Sequence, residues 1–149
     1  MPKGLKETSS LITISASVTE SAADTFTSQQ VDLQLNPLDN EVFIVYAIDL
    51  DTEEPTSVDA VNSNVRGSLS TTQRTSVGGI ADSNVLASSR QQIQNQTTNA
   101  VYTEFKSDST PTGMLEYIGI IATNDFFLNI QGTNNGAAKL MQALSLIHI

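Results

Sequence analysis

Cysteine and tryptophan are missing from this chain of 149 residues, histidine occurs once and proline four times. Without cysteine there is no disulfide, no thiolate zinc site and no cysteine nucleophile. Charge is scarce too: Asp, Glu, Lys and Arg make up 15% of the chain, against about 25% in ordinary soluble domains. The exterior must therefore draw its polarity from Ser, Thr, Asn and Gln. Ser, Thr and Asn compete with helical hydrogen bonding, so the mixture favours strands and turns. A surface low in charge packs against neighbouring subunits at little desolvation cost; it serves equally well as a neutral β surface with no partner. No apolar run approaches the ~18 residues of a membrane-spanning helix. The start, "MPKGLKETSS", lacks the apolar stretch of a signal peptide, so the chain is expected to be cytoplasmic at synthesis.

What charge there is lies unevenly. The formal net charge is −9; residues 1–59 hold eleven of the sixteen acids, and residues 60–149 are neutral. Arg66, Arg74, Arg90, Lys106 and Lys139 are scattered singly along the sequence. No basic patch is visible, so direct nucleic-acid binding and binding to anionic membranes are not expected.

The length suits one domain with a real core. In "LITISASV", Ile12, Ile14, Ala16 and Val18 alternate with Thr13, Ser15, Ser17 and Thr19; this two-residue period predicts an outer strand. "VDLQL" repeats the pattern, and "NPLDN" breaks it with turn residues. "EVFIVYAIDLD" predicts a central strand covered on both sides, with Val42, Ile44, Tyr46 and Ile48 on one face and Phe43, Val45 and Ala47 on the other. Residues 66–77 predict a polar strand at an edge or on an outer sheet. Residues 85–93 fit a short helix or an extended segment. The helix is preferred, because Val85, Leu86, Ser89 and Ile93 fall at helical spacing. "AVYTEFK", "MLEYIGIIA" and "DFFLNIQG" predict further strands. In "TNNG", Asn135-Gly136 suits a tight hairpin turn. About seven strands separated by turns make an all-β domain, a single two-sheet sandwich or jelly roll with one short helix.

Few residues suggest chemistry. "DLDTEE" places Asp49, Asp51, Glu53 and Glu54 close together with Asp59 nearby. Carboxylates in a loop suit calcium, and Asp49, Asp51, Glu53 and Asp59 are the candidate ligands. The glycine and spacing of an EF-hand are absent, so a solvated acidic loop is the more common outcome. Glu104 and Glu116 fall on predicted strands, where outward glutamates are ordinary, and no paired-acid hydrolase is expected from them. There is no G-x-S-x-G, and "SVGGIADSN" lacks the lysine of a phosphate loop. Asn95-Gln96-Thr97 is a formal glycosylation sequon. Phe126 and Phe127, side by side, are interface candidates. No catalytic residue, and no cofactor, is expected.

The last six residues, "LSLIHI", contain the only histidine, His148. They read as a last apolar strand or as the translation of a transposase end sequence from a sequencing library, as happens in metagenomic reading frames. The second reading is preferred. It divides the chain into a flexible arm over 1–10, a sandwich over 11–143 that continues beyond the C-terminal end, and an adapter-derived tail over 144–149. It also anticipates an exposed sheet edge beside the last strand.

Three stretches, "VDLQLNPLDNEVFIVYAIDLD", "SVGGIADSNVLA" and "IGIIATNDFFLNIQG", give the chain its likeness to a family. Over about residues 9–136 it resembles structural proteins of marine viruses of the jelly-roll or β-sandwich kind. That resemblance carries no functional residue. It implies a capsid or capsid-associated subunit that self-assembles as a homo-oligomer or with other virion subunits in the host cytoplasm, without catalysis. A non-catalytic binding module, carbohydrate-binding or adhesin-like and calcium-dependent through the acidic loop, is the alternative.

Overall fold

The computed structural model describes residues 10–33, 41–56, 60–79, 81–96, 99–106, 118–122 and 125–148. These residues form nine strands and no helix: β1 (Ile12–Thr19), β2 (Thr27–Asp32), β3 (Phe43–Thr52), β4 (Asn62–Ser70), β5 (Val85–Gln96), β6 (Asn99–Lys106), β7 (Gly119–Ile121), β8 (Asp125–Thr133) and β9 (Leu140–His148). One antiparallel sheet has the order β1-β9-β3-β7 and the other β2-β8-β4-β5-β6. The sheets pack face to face around a common apolar core.

The pairing follows one rule. β1 pairs with β9, β2 with β8, β3 with β7 and β4 with β5. With β6 set aside as an added edge strand, the first strand pairs with the last, the second with the last but one, and so on inward to the β4–β5 hairpin. A long antiparallel ribbon rolled on itself has this pairing, and it defines the jelly roll. Rolling the ribbon also brings β9 beside β3 and β8 beside β4, which completes both sheets.

Alternation fills the core. Ile12, Ile14, Ala16 and Val18 of β1 turn inward, and the threonines and serines between them are exposed. On β3 the expected parity fails halfway. The ladder to β9 shifts between Val45 and Ala47, so Tyr46 is an extra residue. A bulge of this kind reverses which side chains face in. Phe43 and Val45 before it, and Ile48 and Leu50 after it, all reach the core. Ile44 is buried as well but lies outside that core cluster, so β3 is covered on both faces there.

Two expected elements take other forms. The polar strand anticipated over 66–77 ends at Ser70, and β4 lies inside its sheet, between β8 and β5. Its small residues explain the place: a Cβ on Gly67 would overlap Met141 Sδ, so a methionine of the opposite sheet fills the room the glycine leaves. The helix preferred over 85–93 is strand β5, hydrogen-bonded to β4 and β6. Its helix-like spacing has a different origin. The β4–β5 ladder shifts between Leu69 and Ser70, which leaves Leu86 as an extra residue packed against the core beside Ala87.

The "TNNG" segment is not a hairpin turn. It carries the chain from β8 in one sheet to β9 in the other, and the positive φ (58°) belongs to Asn134. β9 has neighbours on both sides, with Ile12 opposite Ile147 on β1 and Val45 opposite Ile147 on β3. The edges of that sheet are β1 and β7, so no open edge lies beside β9. Met141 and Ala143 point inward; Leu144 is then 46% exposed, and Ser145 is buried.

Candidate functional site

The acidic segment does not converge. Asp49 and Asp51 are exposed at alternate positions of β3 with buried Leu50 between them. Glu53 is engaged elsewhere, its Oε2 accepting the Leu140 N–H at 2.9 Å. Asp59 lies outside the described residues, as do Glu116 and the side chains of Glu104 and His148. Among the described residues no three Asp, Glu or His side chains group to hold a metal ion. Of the two interface candidates, Phe126 is 1% exposed and part of the core. Phe127 alternates with it and is half-buried on the outer face of β8.

Two polar regions emerge instead. The first is a closed knot around the β8–β9 crossing. Glu20 is 3% exposed. Its two carboxylate oxygens accept the Gly132 and Lys139 N–H groups, each at 3.0 Å. Asp24 Oδ1 accepts the Asn135 N–H at 3.0 Å. Asn135 in turn accepts the Thr56 N–H at 2.8 Å and donates to the Asn64 carbonyl at 2.9 Å. A loop crossing between sheets leaves backbone groups that no ladder can satisfy; here side chains satisfy them.

The second region is the outer face of the five-stranded sheet. The β4–β5 connection is long. It closes at its base with the Thr71 N–H donating to the Asn84 carbonyl at 2.8 Å, and its tip folds back over the sheet as an arch. Gly78 is buried under this arch, its N–H directed at Ser68 Oγ at 3.4 Å. A Cβ on Gly78 would overlap Val85 Cγ2 and lie 3.0 Å from Arg74 Nε, so only glycine lets the arch lie this low. Asp82 pins the arch: its Oδ2 accepts the Gly79 N–H at 2.7 Å and lies 3.6 Å from Arg74 Nη2. Beneath, Asn129 Nδ2 donates to Ser68 Oγ and Ser70 Oγ at 3.3 and 3.0 Å, and Asn129 Oδ1 has no partner among the described residues.

Beside the arch runs a groove of about 320 Å³ lined by Arg66, Val77, Gly78, Gly79, Ser88 and Arg90 with parts of Gly67 and Ser89. Arg66 and Arg90 are register partners on β4 and β5. Such partners share a face with Cβ atoms about 4.5–5.5 Å apart, and like charges so placed repel. Both arginines are exposed, which keeps the repulsion below about 1 kcal/mol. All three arginines of the chain thus sit at this groove or in its arch.

The sequence reading missed this site because Arg66 and Arg90 are 24 positions apart. The available signal was a hairpin between "RGSLS" and "VLASSR", which the helix preference at 85–93 hid. Chemically the groove offers guanidinium donors and a serine wall. No carboxylate or imidazole lines it among the described residues. Against known proteins, no family model, no curated protein and no solved structure matches this chain.

Proposed function

We propose that this chain is a virion structural subunit, capsid or capsid-associated, of the marine-virus kind its sequence resembles. It acts by self-assembly and without catalysis, in the cytoplasm of the host. The observation that carries the reading is where apolar surface is left open. Val101 and Tyr102 on β6 are 56% and 49% exposed, and Ile120 on β7 is 40% exposed. β6 and β7 are edge strands of the two sheets, and both sit on the side of the sandwich where Leu86 of β5 packs against Gly119 of β7. Exposed apolar edges are a hazard for a solitary protein and a ready contact for a subunit. Jelly rolls also serve in lectin and cupin domains, so the open edge, more than the topology, favours assembly. The low charge of the exterior agrees with close packing of subunits.

Analytical ultracentrifugation and negative-stain microscopy across a salt series test this. Oligomers or particles are expected, and V101K with I120K should dissociate them while leaving the melting temperature within a few degrees of the parent. A strict monomer at every salt concentration overturns the proposal.

A further inference from the structure

We propose that the outer edge of β1 is a two-fold contact, at which it pairs antiparallel with β1 of a second copy of this chain. As a building contact of a particle it rests on the self-assembly proposed above. As a contact between two copies it stands on β1 alone, and its test separates the two.

The edge strands of the two sheets are β1 and β7, and β2 and β6, and they are not guarded alike. An open edge is a template for a further strand, and proteins blunt it with shortness, charge, proline or a bulge. β7 has three residues, β2 ends on Asp32, and β6 contains Glu104 and Lys106. β1 has none of these devices. It runs for eight residues, Ile12–Thr19, and pairs with β9 without a shift in register. Residues 8–19 hold no charge and no proline. The next charged residue, Glu20, turns into the knot, where backbone N–H groups take both its carboxylate oxygens.

Apolar surface stays open along the same edge. Ile12, Ile14 and Ala16 pack against the core but are only half-buried. Leu11, just before the strand, is 57% exposed. A strand added beside β1 covers these residues and continues the sheet.

Charge and side-chain parity make that strand a second β1. At −9 two copies repel over most of their surface, and an uncharged strip is where they can approach. Residues directly opposite in an antiparallel pair share a face of the sheet, so self-pairing must set even positions against even and odd against odd. With Ser15 opposite Ser15 of the copy, Ile12 meets Val18 and Ile14 meets Ala16 on the core face. Thr13 meets Ser17 on the outer face, and Leu11 is covered by Thr19. No like charges oppose one another in this register. The contact is isologous and closes on itself. β1 and β7 lie at opposite edges of their sheet, so the dimer leaves the β6–β7 side open for a second contact. One strand pairing is a small interface, so the dimer should be weak and follow concentration.

Sedimentation velocity on the full chain over a concentration series tests this. V101K with I120K, which removes the β6–β7 contact, should come apart to dimers and not to monomers. Adding Ser15→Lys sets like charges opposite each other at the two-fold and should weaken the dimer about tenfold or more. The melting temperature should hold within a few degrees, because Ser15 is exposed. Ser15→Glu in the same background should also break the dimer, and an equal mixture of the Lys and Glu variants should restore it. The chain has no cysteine, so Ser15→Cys supplies a single thiol. Opposed residues of an antiparallel pair have Cα atoms about 4.5–5.5 Å apart, within disulfide range, and mild oxidation should cross-link the dimer. If the parent forms particles while V101K with I120K is monomeric at every concentration, the β1 contact is overturned and self-assembly stands. If nothing larger than a dimer forms, and Ser15→Lys abolishes it while V101K with I120K does not, the β1 contact stands and the particle is overturned. Dimers that survive Ser15→Lys and do not cross-link through Ser15→Cys also overturn the β1 contact.

Discussion

The knot around Glu20 and the face under the arch are both polar, and they are built on opposite principles. In the knot, every named carboxylate oxygen of Glu20 meets a backbone N–H, and the glutamate is almost wholly enclosed. On the arch face, Arg66 meets Arg90 across a ladder and Asn129 keeps one amide oxygen without a partner among the described residues. A buried network that is fully satisfied fixes a fold; the arch face instead turns two arginines to solvent above an amide with one oxygen unmet among the described residues. The acidic composition sharpens the contrast. A buried carboxylate serves the backbone in one place, while the chain's few arginines cluster in the other.

The largest effect should come from the knot. Glu20→Ala strands the Gly132 and Lys139 N–H groups in a buried site. Each unmet donor costs about 1–3 kcal/mol, so a loss of about 2–6 kcal/mol is expected for the two. In urea this appears as a lower midpoint with an unchanged slope. Glu20→Gln keeps one acceptor oxygen and should lose less. If Glu20→Ala unfolds at the parent's midpoint, the knot does not hold the crossing and the contrast collapses.

The arch should respond next. Gly78→Ala drives a methyl group into Val85 Cγ2, an overpacking of the kind that costs about 1–3 kcal/mol. Because the arch can lift, the cost should fall at the low end of that range. Its signature is faster amide hydrogen exchange over 71–84 while the core strands keep their protection. Asn129→Ala should cost less again, below about 1 kcal/mol. It removes two hydrogen bonds, but it also removes the amide oxygen that has no partner among the described residues. A loss in Asn129→Ala equal to that in Glu20→Ala would show that the two regions hold the fold alike.

Where side chains alternate without interruption, the sequence is a good guide: β1 lies as its two-residue period predicts, "DFFLNIQG" forms β8 where a strand is expected, and the all-β sandwich follows from such segments. It misleads where one extra residue enters a ladder. Tyr46 reverses the faces of β3, and Leu86 lends β5 a helical spacing; bulges leave no mark in a periodicity. Burial by size also hides β4: Gly67 looks like a surface residue until Met141 arrives from the other sheet, and Ser63 is wholly buried. The arginine groove was illegible for the same reason, since it exists only once the β4–β5 register is known. At β9 the chemistry runs against position: Ser145 is buried with its hydroxyl unpartnered among the described residues, while Leu144 is exposed. Backbone pairing to both neighbours places these residues despite their side chains.

The smallest effect should come from the pin of the arch, and it separates two ways of holding a loop. Asp82 makes a hydrogen bond to the Gly79 N–H and an ion pair with Arg74 at 3.6 Å, with the two side chains 51% and 22% exposed. Asp82→Asn keeps an oxygen for the amide and deletes the charge. An exposed pair of this kind contributes below about 1 kcal/mol, so the stability should barely move. Asp82→Ala deletes both and should cost more than Asp82→Asn, by about 0.5–1.5 kcal/mol for the hydrogen bond. Were charge the pin, Asp82→Asn and Asp82→Ala would be equally destabilising, and molar salt would loosen the parent arch as much as either. With the amide as the pin, salt leaves exchange at Gly78 and Gly79 unchanged. The arch then behaves like the Glu20 knot, with a carboxylate held to a backbone N–H and charge contributing little.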